Sequence, residues 1–356
     1  MRIPSLDRSP VLPAYIDSTM RSAFSSCEQK FFAEFCLGLR PGALSIDLHA
    51  GGCFASALES FYRSFWEKGL DYDHAISQAY GTFLHEWGDF QIIKKTAKTQ
   101  DNIWAGIISY LHKYPPREDP LQPFIFEEGN TPSVEFSFAI PLPENEGFPL
   151  HPVTNEPFLY VGRADMLGRH GNQITVKDDK TAGKLESDWA DKWNLRGQFL
   201  GYCWALTRSG LKCNKVLVRG TIFTQTEIRH VEAEKLYPDF LIKRWEDQLR
   251  LNLKRLVECW KKGEALSDPG KGFGFDFAEA CTQYGGCAFR DRCTSSDPNM
   301  FNSDYSVSRW DPTKKNPLTV DPIVPPHGLS LAGALRSSAS LLSLVKVGDP
   351  TLEKTS

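Results

Sequence analysis

A mixed α/β fold, a mixed sheet dressed with helices, is predicted by three observations. Up to about residue 115 the apolar residues recur at helical spacing. After Pro115–Pro116 the texture changes to short runs rich in β-branched and aromatic residues, bounded by Gly, Pro and Asn. Helical patterns then return, one between the third and fourth of those runs and a longer amphipathic one over 238–262.

Taken in order, residues 1–14 hold three prolines and little periodicity, and read as a flexible lead-in. From Tyr15 to about Gly38, Phe24, Phe31, Phe32 and Phe35 predict a helix. A second is expected from about Gly52 to Lys68, with Phe54, Leu58, Phe61, Tyr62 and Phe65 on its apolar face. Residues 74–87 and 101–113 read as two more, so 15–115 is a helical part. The core, 130–235, holds four strand-like runs: VEFSFAIPL, FLYVGRADML, QITVKDD and KVLVRGTIF. A helix beginning near Ser187 is expected before the last of them. The folded domain thus spans 15–302, and 303–356, rich in Pro and Ser, reads as a disordered tail. Within that tail GALRSSASLLSLVKV is a candidate docking segment for a protein partner.

Composition excludes some classes. No run approaches the roughly 18 apolar residues of a membrane span, and MRIPSLDRSP lacks the apolar centre of a signal peptide, so a cytoplasmic location is expected. A net charge of −3 neither advertises nor forbids a nucleic-acid partner, because a local basic cleft is compatible with it. Nine cysteines without an export signal favour metal or cluster ligation over a disulfide framework.

The most informative segment is FLYVGRADMLGRHGNQITVKDDKTAG, residues 158–183. Gly171-Asn172 suits a two-residue hairpin loop. With that loop, His170 faces Gln173 and Asp165 lies directly opposite Asp178, on one sheet face. Strand alternation adds Lys180 to that face and turns Lys177 and Asp179 away. Two opposed carboxylates repel unless a cation lies between them, and Mg²⁺ or Mn²⁺ is the natural occupant. Two acids, one ammonium and a divalent ion suit phosphodiester hydrolysis. The alternative is an exposed hairpin whose charges face solvent. The predicted register and the apolar Ile174 and Val176 on the same face argue against it.

G-R-A-D at 162–165 followed by V-K-D-D-K-T at 176–181 resembles the GRxD…DxKT pattern of PD-(D/E)XK nucleases of the RecB type, a group that includes CRISPR-associated and phage recombination exonucleases. The resemblance implies a restriction-endonuclease-like core and a metal-dependent DNA nuclease, an exonuclease of recombination, repair or phage DNA processing. It further implies metal ligation by Asp165, Asp178 and the peptide carbonyl of Asp179, with Lys180 catalytic. Gln198 and Tyr202, at i and i+4 on the next helix, resemble the group's QxxxY element. DLHAGGCFASALESFY resembles its first motif in part: Ala55 stands where the family histidine is expected, Glu59 matches the acid one turn later, and His49 is a candidate substitute. That departure motivates the alternative of a catalytically eroded DNA-binding or scaffold protein.

Cys281, Cys287 and Cys293 are spaced C-x5-C-x5-C, and thiolates suit iron–sulfur clusters or zinc. Zinc usually takes tighter knuckles. A fourth ligand is needed, and Cys27 is the candidate. Several RecB-type nucleases hold a [4Fe–4S] cluster with one amino-terminal and three carboxyl-terminal cysteines, so the resemblance implies such a clasp here. Lys94, Lys95 and Lys98 are candidate phosphate contacts, and Arg196 is placed near the cleft.

Overall fold

A computed structural model describes residues 9–42, 45–126, 131–170, 173–277, 279–282 and 286–311. The amino-terminal part contains β1 (Tyr15–Ile16), α1 (Ser18–Ser26), α2 (Glu28–Phe31), β2 (Leu39–Pro41), α3 (Ile46–Tyr62), α4 (Tyr72–Trp87) and α5 (Gln100–Lys113). Four of its helices begin where a side-chain oxygen takes up an otherwise unpaired amide. Asp17 accepts from Met20 N at 2.7 Å, Ser45 from Leu48 N, Asp71 from His74 N and Thr99 from Asn102 N. The single helix expected over 15–38 is split, because Cys27 is extended (φ −167°) between α1 and α2. α3 starts six residues before the expected Gly52, at the Ser45 cap, and continues through a π-helical turn to Glu67.

The remaining strands are β3 (Gln122–Pro123), β4 (Ile125–Phe126), β5 (Thr131–Pro132), β6 (Val134–Leu142), β7 (Phe158–His170), β8 (Gln173–Ala182), β9 (Lys215–Phe223), β10 (Ile228–Leu236) and β11 (Tyr305–Val307). With them come α6 (Gly197–Arg208), α7 (Asp239–Ala265) and α8 (Arg290–Thr294). The mixed sheet has the path β1-β7-β8-β9-β10, and β6 and β3 also pair with β7. α6 begins at Gly197, later than the Ser187 start expected, since 187–190 form turns and Asp191–Trp193 a single 3₁₀ turn. β10 was not expected from sequence.

Helices cover both faces of the sheet. One core gathers Val176, Val218 and Ile222 with Phe199 and Cys203 of α6 and Trp245 and Leu249 of α7. The other gathers Phe223 with Phe54 and Phe61 of α3, Phe83 of α4 and Ile107 of α5. β9 is buried at every residue, as expected of a strand covered on both faces. No helix of the described residues is long and apolar enough to cross a membrane.

The carboxyl-terminal part returns to the amino-terminal one. β11 pairs antiparallel with β2, inside the stretch expected as tail; Arg309 donates to the carbonyls of Cys36 and Ser9, and Trp310 Nε1 to Asp17 Oδ2. The candidate docking segment GALRSSASLLSLVKV lies outside the described residues.

Charge is also buried in the second core. Arg219, almost fully enclosed, donates to Asp119 (Nη2 to Oδ1, 2.8 Å) and to Glu232 (2.8 Å), while its guanidinium lies 3.9 Å from the Tyr114 ring centroid. Removing one partner of such a pair leaves a charge that cannot reach water. Asp119→Ala is therefore expected to lower unfolding free energy by about 3 kcal/mol in urea titration. Asp119→Leu combined with Arg219→Met is expected to recover most of that loss. A single variant as stable as the parent would show that the pair carries no such weight.

Candidate active site

The predicted register holds from His170↔Gln173 to Met166↔Lys177, but the expected directly opposed pair Asp165↔Asp178 is not formed. The loop pair Gly171-Asn172 lies outside the described residues. At the next step the two strands part. β8 continues in parallel register with β9 as far as Ala182, whereas β7 continues against β6 to Phe158, with β1 beside Leu159–Tyr160. Asp165 and Asp178 stand at this fork.

Asp165 bridges it, its Oδ2 accepting from the Asp179 backbone N–H at 2.6 Å. Asp178 is buried, its Oδ2 ion-paired with Lys180 Nζ and its Oδ1 accepting from Gln198 Nε2 at 3.4 Å. Lys177 and Asp179 point to the opposite face, as alternation requires. They form a buried ion pair of 2.8 Å, capped by the Tyr110 hydroxyl of α5, which donates to Asp179 Oδ1 at 2.7 Å. Asp179 thus serves both faces: its amide holds Asp165 and its carboxylate is anchored in the helical layer.

Burial, followed by the charge of Asp178 and then that of Glu135, pushes the Asp165 carboxyl well above the usual range. Burial also raises Asp178, against the opposing pull of Lys180. Lys180 is itself raised, since Asp178 and Asp165 together outweigh its desolvation. These residues fit a hard divalent cation. Two buried carboxylates share the Lys180 ammonium, and Asp178 Oδ2 is buried with no hydrogen bond of ordinary geometry. Among the described residues no set of three His, Cys, Asp or Glu side chains is gathered as ligands. Asp165 and Asp178 would therefore hold such an ion with oxygens from water, backbone or substrate, as suits Mg²⁺.

α6 delivers Gln198 and Tyr202 from above the fork. The Tyr202 hydroxyl accepts from Gln198 Nε2 at 2.8 Å and donates to the Arg163 carbonyl at 2.5 Å, so the i, i+4 spacing acts as one unit. The helix comes this close because of Gly201, where a Cβ would lie 2.0 Å from the Tyr160 hydroxyl.

A cleft of about 850 Å³ adjoins the centre. Gln198, Tyr202, Arg163 and Glu59 are in its wall; Asp165, Asp178 and Lys180 are not, and Gln198 stands between the cleft and Asp178. Glu59 is buried and paired with Arg63 at 2.8 Å. His49 is not brought to the centre. It lies within α3, stacked on Phe90 (4.0 Å between centroids) and near Cys53 Sγ, so it does not replace the missing histidine. Lys98 is also a correction: it is buried against Asp47 at 2.7 Å and unavailable to a phosphate, while Lys94 and Lys95 are exposed. Arg196 is exposed, and its charge is felt at both Asp178 and Lys180.

Sequence reasoning missed Glu135. It sits in β6 with φ +54°, a left-handed conformation for a non-glycine residue, and the β6–β7 register passes from Val134↔Met166 to Phe136↔Ala164 without it. Its buried carboxylate pairs with Arg163 Nε at 2.6 Å and contributes to raising Asp165. No residue type at 135 announces a kink, so alternation alone had no means of finding it.

The cysteines converge without closing. Burial raises the Cys293 thiol, and the charges of Cys287, Cys27 and Cys281 add to the rise, so all four lie in one neighbourhood. Cys287 N also donates to the Cys281 carbonyl at 3.0 Å. The four sulfurs do not form a ligand set at coordination geometry among the described residues.

No curated protein matches the chain. Among solved structures, the crystal structure of SSO0001 is similar at 15% identity over 57% of this chain and 73% of that one, with a TM-score of 0.23. The PD-(D/E)XK nuclease superfamily is matched over residues 19–294, from α1 past the last cysteine. That span is well over half the chain and includes the forked hairpin with both acids and the lysine, so the chain belongs to the PD-(D/E)XK nuclease superfamily.

Proposed function

We propose that the chain is a Mg²⁺- or Mn²⁺-dependent deoxyribonuclease, working as an exonuclease in recombination, repair or phage DNA processing. The observation that carries the reading is the joining of Asp165, Asp178 and Lys180 at the β7–β8 fork. A bound divalent ion would lower the pKa of a water molecule and offset charge on the phosphate. The chain's own groups supply the rest. The Asp179 amide fixes Asp165, Gln198 and Lys180 orient Asp178, and Lys180, held charged by its neighbours, is placed to stabilise the developing oxyanion. The finer assignment, exonuclease and DNA, rests on the likeness of G-R-A-D, D-D-K-T and Gln198/Tyr202 to RecB-type nucleases.

The proposal includes a [4Fe–4S] cluster held by Cys27, Cys281, Cys287 and Cys293. Its support is the convergence of thiols from α1–α2 and from the carboxyl-terminal segment, which would tie the ends of the domain together. Iron and acid-labile sulfide in anaerobically purified protein, lost in Cys27→Ser, is the expected result. Stoichiometric zinc without iron would replace the cluster by a zinc site.

For the chemistry, Asp165→Ala, Asp178→Ala and Lys180→Ala are each expected to lower cleavage of end-labelled DNA in Mn²⁺ by about 100-fold or more, while binding persists. Unchanged digestion in all three would remove the assignment. Binding without cleavage by the parent would instead indicate the eroded scaffold that Ala55 suggests.

The raised carboxyls give a separate test. In cation-free protein both acids hold protons more tightly than in the unfolded chain, so their contribution is complete below the ordinary carboxylate range of about pH 4. It is lost as pH rises through their raised folded values. Tm in EDTA is expected to fall as pH rises, Mg²⁺ or Mn²⁺ to reverse the fall, and Asp178→Asn to flatten both effects. A Tm indifferent to pH and to either ion would argue against a cation at the fork.

A further inference from the structure

Trp310 takes no part in the chemistry above, yet it stands in the same cleft. Its indole Nε1 donates to the buried Asp17 at 2.8 Å, and its carbonyl accepts from the Tyr15 hydroxyl at 2.9 Å. The preceding Arg309 is fastened to the carbonyls of Cys36 and Ser9. The ring is therefore held at its edge by a residue that also caps α1. Even so it is 44% exposed, and it lines the cleft opened by Arg163, Gln198 and Tyr202. Among the described residues no other ring stacks on it.

The rest of the wall explains why such a ring matters. Three cations, Arg63, Lys68 and Arg163, face four acids, Asp17 and Glu59 among them, and much of the remainder is serine and threonine. A wall of mixed charge attracts phosphate weakly, so a strand in this cleft needs an anchor other than its backbone. A rigid indole with a free face offers one, because every nucleobase has a π-face to stack on it and little rotamer freedom is lost.

We propose that Trp310 is a stacking platform for one unstacked nucleobase of the substrate strand, fixing which phosphodiester reaches the β7–β8 fork. The proposal rests on the nuclease reading for the identity of the substrate. The Asp17 carboxylate keeps the ring edge-on to the protein, and the exposed face receives the base.

The test uses the full-length protein and single-stranded oligonucleotides carrying one abasic site at successive positions, with affinity measured in EDTA. The parent is expected to lose about 10-fold when the abasic site falls in one register and little elsewhere. Trp310→Ala is expected to bind the intact oligonucleotide about 10-fold more weakly and to show no register. Trp310→Phe, which keeps a ring but loses the bond to Asp17, is expected to retain the register. If Trp310 only braces the terminal segment, Trp310→Ala will weaken binding evenly and keep the parent's abasic profile, which overturns the proposal. A parent with no abasic register overturns it as well. Digestion of the intact oligonucleotide in Mn²⁺ is scored separately, so a digesting parent without the register sinks the platform alone. A parent that shows the register but never cuts sinks the nuclease reading and leaves the platform standing.

Discussion

Two carboxylates held where paired strands separate form the constraint around which this molecule is arranged. A regular hairpin would carry Asp165 and Asp178 as one more cross-strand pair, and like charges directly opposed weaken a ladder. Here the ladder ends one step earlier, at Met166↔Lys177. Beyond it β8 keeps the β9 partner it has had since Thr175, and β7 keeps β6, with β1 joining only at Leu159–Tyr160. The facing edges lose their ladder there, but each strand stays hydrogen-bonded along its far edge, and across the gap the Asp165 carboxylate takes up the Asp179 amide.

Two glycines and one kink support that opening. Gly201 lets α6 press its Gln198–Tyr202 face toward the fork, and Gly162, where a Cβ would meet the Phe138 ring at 2.4 Å, lets β6 cover β7 closely. Glu135 departs from the β6 ladder at φ +54° and turns a third carboxylate toward Asp165, restrained by Arg163. A left-handed glutamate costs about 1 kcal/mol or more, and the surrounding pairing of β6 with β7 holds it in place. The local strain and the electrostatic excess occur at the same point.

Much of this was legible in the sequence. Gly171-Asn172 between two alternating runs specified the hairpin, and alternation then assigned Asp165, Asp178 and Lys180 to one face and Lys177 with Asp179 to the other. QxxxY spacing needed only helical geometry. What failed did so for identifiable reasons. β10 reads IRHVEAEKL, an edge strand with exposed charges, which resembles a solvated helix as much as a strand. The cap at Ser45 outweighed the apolar run starting at Gly52 and drew His49 into α3. Trp310 was lost in the average composition of a Pro- and Ser-rich stretch, although its own segment is tied to Asp17 and Tyr15. Non-local pairing of that kind leaves no mark on local pattern.

The consecutive acids Asp178 and Asp179 show how the two layers are coupled. Successive residues of a strand face opposite ways, so one acid enters the centre and its neighbour enters the helical layer behind it. Yet the neighbour's peptide N–H lies at the strand edge and is the group that grips Asp165. The carboxylate of Asp179 is in turn fixed by Lys177 and by Tyr110 of α5, both buried. The placement of Asp165 thus depends, through Asp179, on a hydroxyl supplied by α5. The D-D-K triplet therefore does more than place an acid and an ammonium at the fork: its middle residue joins the amino-terminal helices to the geometry of that fork.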